Sequence, residues 1–142
     1  MKLVNCTNIF YDYSGSLYIE DDIELGNDIC FYKPLDVFAP EASCGIYVNP
    51  KDSDYRNQCI YYNYTGESVI YNLDLDFEGY LTMAGEAFIF RYWPKVLVDI
   101  KYGRESEETK DFRDGMKKMF HTFDWEKFVE KYESLRLSKR NG

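Results

Sequence analysis

Histidine is almost missing from this chain: His121 stands alone among 142 residues. Imidazole chemistry would therefore rest on one side chain, set between Phe120 and Phe123. A helix-end position, where partial positive charge is favoured, is the plainer reading of it, and a catalytic role the lesser one. Cysteine is scarce as well. Cys6, Cys30, Cys44 and Cys59 form no C-x-x-C pair, and a zinc site would need almost all-cysteine ligation. There is no G-x-x-x-x-G-K-[ST] phosphate loop, no G-x-G-x-x-G turn, no H-E-x-x-H helix and no G-x-S-x-G elbow. No apolar run approaches the roughly 18 residues that a membrane helix requires. Residues Met1-Lys2-Leu3-Val4-Asn5 lead into strand-like sequence without the apolar region of a secretory signal. These absences predict a cytoplasmic protein with reduced, buried cysteines, no cofactor, no metal and no membrane contact. In that setting the glycosylation-like triplets Asn5-Cys6-Thr7 and Asn63-Tyr64-Thr65 read as chance.

What is present is enough for one core. Hydrophobic residues make up 45% and charged residues 30%, which excludes disorder by composition and suits a single domain over 1–142. Fourteen tyrosines and ten phenylalanines fit half-buried strands and interfaces, where a ring packs while a hydroxyl stays wet. The net charge of −8 is uneven. Residues 1–103 carry 16 acidic and 7 basic side chains, a net −9, and residues 104–142 carry 9 and 10, a net +1. A surface of that sign repels nucleic acid and attracts basic proteins.

Periodicity divides the chain at Gly103. Before it, residues 8–13 and 16–25 flank a Ser14-Gly15 hairpin turn, and 28–32 forms a strand stopped by Lys33-Pro34. Residues 34–58 read as loop with one short strand at 45–48. Further strands are expected at 59–64, 68–77, 80–83, 86–92 and 96–102, in an antiparallel meander with one wet face. After Gly103 the period becomes helical. Phe112, Met116, Met119, Phe120 and Phe123 form one stripe behind a Ser106 N-cap. Trp125, Phe128, Val129, Tyr132 and Leu135 form a second behind Asp124, and the basic tail 136–142 is expected to fray. The predicted fold class is α+β, mostly β over 1–103 and helical over 104–142, with two C-terminal helices packed on one face of the meander.

The sequence offers two acidic ridges as sites. Asn72, Asp74, Asp76 and Glu78 alternate with Tyr71, Leu73, Leu75 and Phe77. On a strand this places the three carboxylates on one face, about 7 Å apart. Glu20, Asp22 and Glu24 make the other ridge, opposite Leu17, Ile19, Ile23 and Leu25. Solvated face, surface for a cationic partner and divalent-cation site remain open readings, although a straight strand does not converge ligands on one point. Tyr62 and Tyr64 share one face of the 59–64 strand and extend the candidate surface, with ordinary strand propensity as the alternative. Arg91-Tyr92-Trp93-Pro94 reads as packing at a strand end rather than as a pocket.

The plan of one acidic cytosolic domain, with ridges Glu20, Asp22, Glu24 and Asp74, Asp76, Glu78, abundant tyrosine and a closing Phe123-Asp124-Trp125-x-x-Phe128 helix, resembles bacterial immunity proteins that accompany polymorphic or contact-dependent toxins. That resemblance implies a non-enzymatic protein that binds a cognate basic toxin domain, such as a nuclease, in stoichiometric fashion, with complementary charge speeding the encounter. Two other classes stay open. A DNA-mimicking inhibitor would use the carboxylate rows as phosphate surrogates. A metal-dependent hydrolase would use Asp74, Asp76 and Glu78.

Overall fold

The computed structural model describes residues 32–47, 59–64 and 69–140. Four antiparallel strands run in sequence order: β1 (Tyr32–Ala39), β2 (Ala42–Tyr47), β3 (Ile60–Tyr64) and β4 (Ile70–Asn72). Five helices come after them: α1 (Phe77–Glu86), α2 (Trp93–Tyr102), α3 (Glu107–Met119), α4 (Trp125–Leu135) and α5 (Leu137–Arg140). The class is α+β, a meander and then helices. The helical part begins at Phe77 rather than after Gly103, so 1–103 is not mostly strand through its last third. The hairpin expected over 8–25, with its ridge Glu20, Asp22 and Glu24, lies outside the described residues, as do 28–31, Cys6 and Cys30.

Residues 34–44, expected as loop, instead form most of β1 and the start of β2, and the strand expected over 68–77 is limited to Ile70–Asn72. β1 continues through Lys33-Pro34, where a break was expected. It is an edge of the described sheet, and its register shifts between Pro34 and Asp36. An edge position with a bulge tolerates proline's missing N–H. The sheet also lacks a simple wet face. On β3, Ile60 and Tyr62 enter the main core, while Tyr61 joins Tyr32, Cys59 and Leu137 in a second cluster. Alternation puts them on opposite sides, and both sides are covered.

Segments 77–86 and 93–102 are helices where strands were expected. Asp76 caps α1, accepting from Gly79 N at 2.7 Å. Tyr80, Met83, Ala84 and Ala87 then fall at i, i+3, i+4 and i+7 and are buried, a helical stripe. Glu78-Gly79 is thus the first turn of a helix, not a hairpin turn. Pro94 sits in the first turn of α2, where its fixed φ fits and its missing N–H is harmless. Trp93, Val96 and Leu97 of that helix are fully buried.

The last two long helices start where expected. Ser106 Oγ accepts from Thr109 N, and Asp124 accepts from the N–H groups of Glu126 and Lys127. Phe112 is the hub of the aromatic core, with ring centroids of Phe90, Phe123 and Phe128 at 5.5, 5.7 and 5.1 Å. Met119 departs from the predicted stripe and is exposed, because α3 ends there.

Buried aspartates tie the elements together. Tyr80 Oη on α1 donates to Asp36 Oδ2 on β1 at 2.6 Å. Asp99 on α2 accepts from Lys95 Nζ and Thr109 Oγ1, both at 2.7 Å, and from Ser106 N at 3.0 Å, which joins α2 to the start of α3. Asp74 receives the C-terminal segment: Arg136 Nε at 2.9 Å, Ser138 N at 3.0 Å and the Ser138 hydroxyl. Its own carbonyl accepts Leu137 N at 2.8 Å. The basic tail expected to fray is therefore docked through Arg140. Burial works to raise the Asp74 carboxyl, but its bonds from Ser138 and Arg136 outweigh burial and hold it below the ordinary value.

These contacts set two expectations. Trp93 is fully buried, whereas Trp125 is only half-buried, so Trp93→Ala is the more damaging truncation, about 3–5 kcal/mol by chemical denaturation. Asp74→Asn removes the charge that Arg136 and Ser138 address and should lower stability at neutral pH by about 2 kcal/mol. Because the folded carboxyl is depressed, its contribution is complete above the unfolded value of about 3.8 and disappears as pH falls through the folded one. Urea midpoints of parent and Asp74→Asn should converge below that pH. A gap that stays constant into acid would remove the ion pair from the account.

Candidate protein-binding surface

The ridge expected from Asp74, Asp76 and Glu78 does not form. Asp74 is buried against Arg136 and Ser138. Asp76 caps α1 and faces Arg140 at 3.4 Å. Glu78 is exposed on α1. Leu73 N donates to Ile60 O and Ile60 N to Leu75 O, which keeps both leucines on the core, but the strand ends at Asn72 and Asp74 between them is left-handed at φ 59°. Asp74 and Asp76 then turn towards the C-terminal segment, while Glu78 stays in solvent. Tyr62 is also corrected. It is buried, with its ring 6.4 Å from Tyr71, whereas Tyr64 is exposed at the end of β3. Among the described residues, no group of three His, Cys, Asp or Glu side chains is placed to hold a metal ion. No helix among them is long and apolar enough to cross a membrane. Cys44 and Cys59 are buried thiols, with burial raising both.

The unusual surface lies in the connection between α1 and α2. Phe88, Ile89 and Tyr92 all have positive φ, at 48°, 53° and 60°. A bulky or β-branched residue there is strained, at about 1–2 kcal/mol each. Phe88 owes its conformation to the way α1 ends, while Tyr92 is the left-handed N-cap of α2. Phe88 N donates to Gly85 O and Ile89 N to Ala84 O, the paired bonds of a Schellman cap. The residue after the cap must be left-handed, which is glycine's conformation. α2 ends with the same pair of bonds, Gly103 N to Ile100 O and Arg104 N to Asp99 O. There the left-handed position is held by Gly103, at φ 63°. One chain thus solves the same helix end with glycine at α2 and with phenylalanine at α1.

Phe88 and Ile89 are 58% and 46% exposed, so core burial does not account for them. Phe88 stacks one ring face on Phe120 at 4.1 Å. Phe90 lies across α3 at Gly115, where a Cβ would stand 3.0 Å from its ring. The connection is thereby laid along α3. At its far end an open groove of about 390 Å³ is lined by Phe90, Arg91, Tyr92, Glu107, Glu108 and Asp111. Arg91 lies over the Tyr92 ring at 4.6 Å, donates to the Tyr92 hydroxyl at 2.7 Å and stands 3.6 Å from Glu41. The Tyr92 hydroxyl bonds to Glu41, holding that carboxyl below its ordinary value and the phenol above its own. Trp93-Pro94 is packing, as expected, but Arg91 and Tyr92 belong to this surface. The sequence carried one signal for it, Phe88-Ile89 where a helix-ending glycine would stand, and that signal is visible only once 77–86 is read as a helix.

His121 is exposed in the turn after α3, beside an open cleft of about 490 Å³ shared with Arg113, Lys117 and Trp125. Asp114, Asp124 and Glu126 line the same cleft, so it presents no single sign of charge.

Comparison with known proteins finds no matching family model, no matching curated protein and no matching solved structure.

Strain makes a direct test. Ile89→Gly should raise stability by about 1 kcal/mol, since glycine adopts φ 53° freely and the relief of strain exceeds the contacts given up by a half-exposed side chain. Gly103→Ala should lower it by about the same amount. Thermal melts giving a loss for Ile89→Gly would mean that Ile89 is held for the fold.

Proposed function

We propose that the chain is a non-catalytic binding protein that captures a basic protein partner through the α1–α2 connection. The observation that carries this reading is the strained pair Phe88-Ile89, half in solvent at the Phe120 end of α3, on a connection whose other end runs with Arg91 and Tyr92 into the carboxylates Glu107, Glu108 and Asp111. Strain of this kind persists where surrounding structure imposes it and clusters at functional positions. Exposed aromatic and branched apolar residues supply the area of an interface core, and a rim of one charge speeds encounter with the opposite charge. The net charge of −8 has the right sign for such steering. An immunity protein that neutralises a cognate basic toxin domain in the cytoplasm is the biological form that fits best. The two competing readings draw no support from Asp74, Asp76 and Glu78, which form neither a phosphate-like row nor a converging ligand set.

The test compares the parent with Phe88→Ser and with the combined Glu107→Gln, Glu108→Gln and Asp111→Asn variant, each used as bait for partner capture. The captured protein should be basic, bind at equal stoichiometry and lose its own activity on binding. Phe88→Ser should speed dissociation, costing about 1–2 kcal/mol of affinity as an interface anchor. The neutralised variant should mainly slow association and flatten its salt dependence. Equal capture by all three proteins would place recognition elsewhere.

A further inference from the structure

We propose that the exposed face of α1 is a docking track for a basic amphipathic helix of the partner. This deepens the binding reading above and rests on it. Phe77, Leu81 and Gly85 succeed one another at four-residue intervals, and the exposed Phe88 comes three residues later in the cap that ends the helix. The two large side chains at the start of this row are 50% and 42% exposed. The opposite side of α1, with Tyr80, Met83, Ala84 and Ala87, already fills the core. The helix therefore carries a second apolar row that is half in solvent, a run of exposure along one face rather than scattered single residues.

Gly85 shapes that surface. It lies inside α1, where glycine is a poor helix former. A Cβ added to it would meet nothing within 4 Å. Among the described residues no close approach requires it, unlike Gly115 beneath Phe90. Between Leu81 and Phe88 its effect is a notch in the apolar row, open to a knob from outside. A side chain of a facing helix fits a notch bounded by residues four apart on this geometry.

Charge identifies the occupant. Glu78, Thr82 and Glu86 form the next row round the helix, again at four-residue spacing, and both glutamates are exposed. An apolar row edged by carboxylates is complemented by an apolar row edged by lysine or arginine. A second copy of this chain is a poor fit: antiparallel packing of two α1 helices would bring Glu78 of one towards Glu86 of the other, between molecules that each carry −8. α1 is 10 residues long, so the partner helix needs about 15 Å of contact, roughly three turns.

The test uses two synthetic helical peptides of about 14 residues. They share one leucine row, flanked by lysine in one and by glutamate in the other. Binding to the isotope-labelled full chain is monitored by fluorescence anisotropy and by amide shift mapping. The lysine peptide should bind, with shifts centred on Leu81, Gly85 and Glu86, and the glutamate peptide should bind at least about tenfold more weakly. Gly85→Met fills the notch with a good helix former. It should raise the melting temperature and weaken the lysine peptide about tenfold, a pairing that a purely structural glycine would not give. Glu78→Gln with Glu86→Gln should abolish the preference between peptides. Equal binding of the lysine peptide to parent and Gly85→Met would overturn the track. So would a sedimenting dimer that Gly85→Met dissociates, which would assign the face to a second copy. Natural-partner capture separates the two readings. Loss with Phe88→Ser but not with Gly85→Met removes only the helix track, and loss with neither removes the binding surface as well.

Discussion

Asp74 is the point on which the architecture closes. It comes after the last strand at φ 59°, a conformation that aspartate tolerates better than most residues, and this turns the chain out of the sheet direction just before α1. Its carboxylate and carbonyl together take four contacts from Arg136, Leu137 and Ser138. The residues around it are tied to other helices. Tyr132 Oη of α4 donates to Leu73 O at 2.9 Å, and Lys101 Nζ of α2 to Asn72 O at 2.6 Å. Residues 72–74 therefore carry bonds from three helices at once. Leu137, drawn in by this network, closes the second apolar cluster behind Tyr61 and Cys59. Buried polar groups are tolerable only when satisfied, and a fully satisfied network fixes one arrangement of the elements it joins.

The acidity of the chain takes on a structural meaning through these contacts. Asp36, Asp74 and Asp99 are all buried, each linking separate elements of the fold. Alternation along 72–78 correctly signals a carboxylate on every second residue, but alternation does not say what faces them. Asp74 and Asp76 face a basic segment 62 to 64 residues later. The clue was present in Arg136, Lys139 and Arg140, whose local excess of positive charge has its counterpart in Asp74, Asp76 and Glu133. It was not decisive, because sequence gives no distance between the two stretches. The surviving surface carboxylates, Glu107, Glu108 and Asp111 among them, owe their exposure to α3 packing on its Phe112 and Met116 side.

Legibility tracked the strength of local rules. α3 and α4 were readable because a capping side chain, an acidic first turn and a 3.6-residue stripe agree within each. The strand at 60–64 was readable because its tyrosines and isoleucine sit between turn residues. α1 and α2 misled because local preference and tertiary outcome disagree. Val96-Leu97-Val98-Asp99-Ile100 has strand composition, yet Val96, Leu97, Val98 and Asp99 are all buried in a helix. Burial on nearly all sides removes the amphipathic period that would have exposed the helix. Glu78-Gly79 matches a hairpin dipeptide, but its meaning depends on Asp76, which acts as a cap only when residues 77–80 are helical. The surface at Phe88-Ile89 inherits that error, since a strained helix cap has no signature in a sequence read as strand.

The strain at that cap is sustained by packing on both sides of it. Phe88 is pinned by its stack on Phe120, and Phe90 is seated on α3 where Gly115 leaves room for its ring. At the other end Tyr92 is bound to Glu41 in the β1–β2 turn, so the connection spans from α3 to the sheet. A segment of five residues anchored at three points has little freedom left to lose. That matters for recognition, because ordering a loop on binding consumes affinity, and a surface already ordered in the free protein avoids the loss. The same anchoring explains why phenylalanine can hold a place suited to glycine. The conformational penalty is met by contacts made within the folded chain, while about half of the Phe88 and Ile89 side chains stays at the surface.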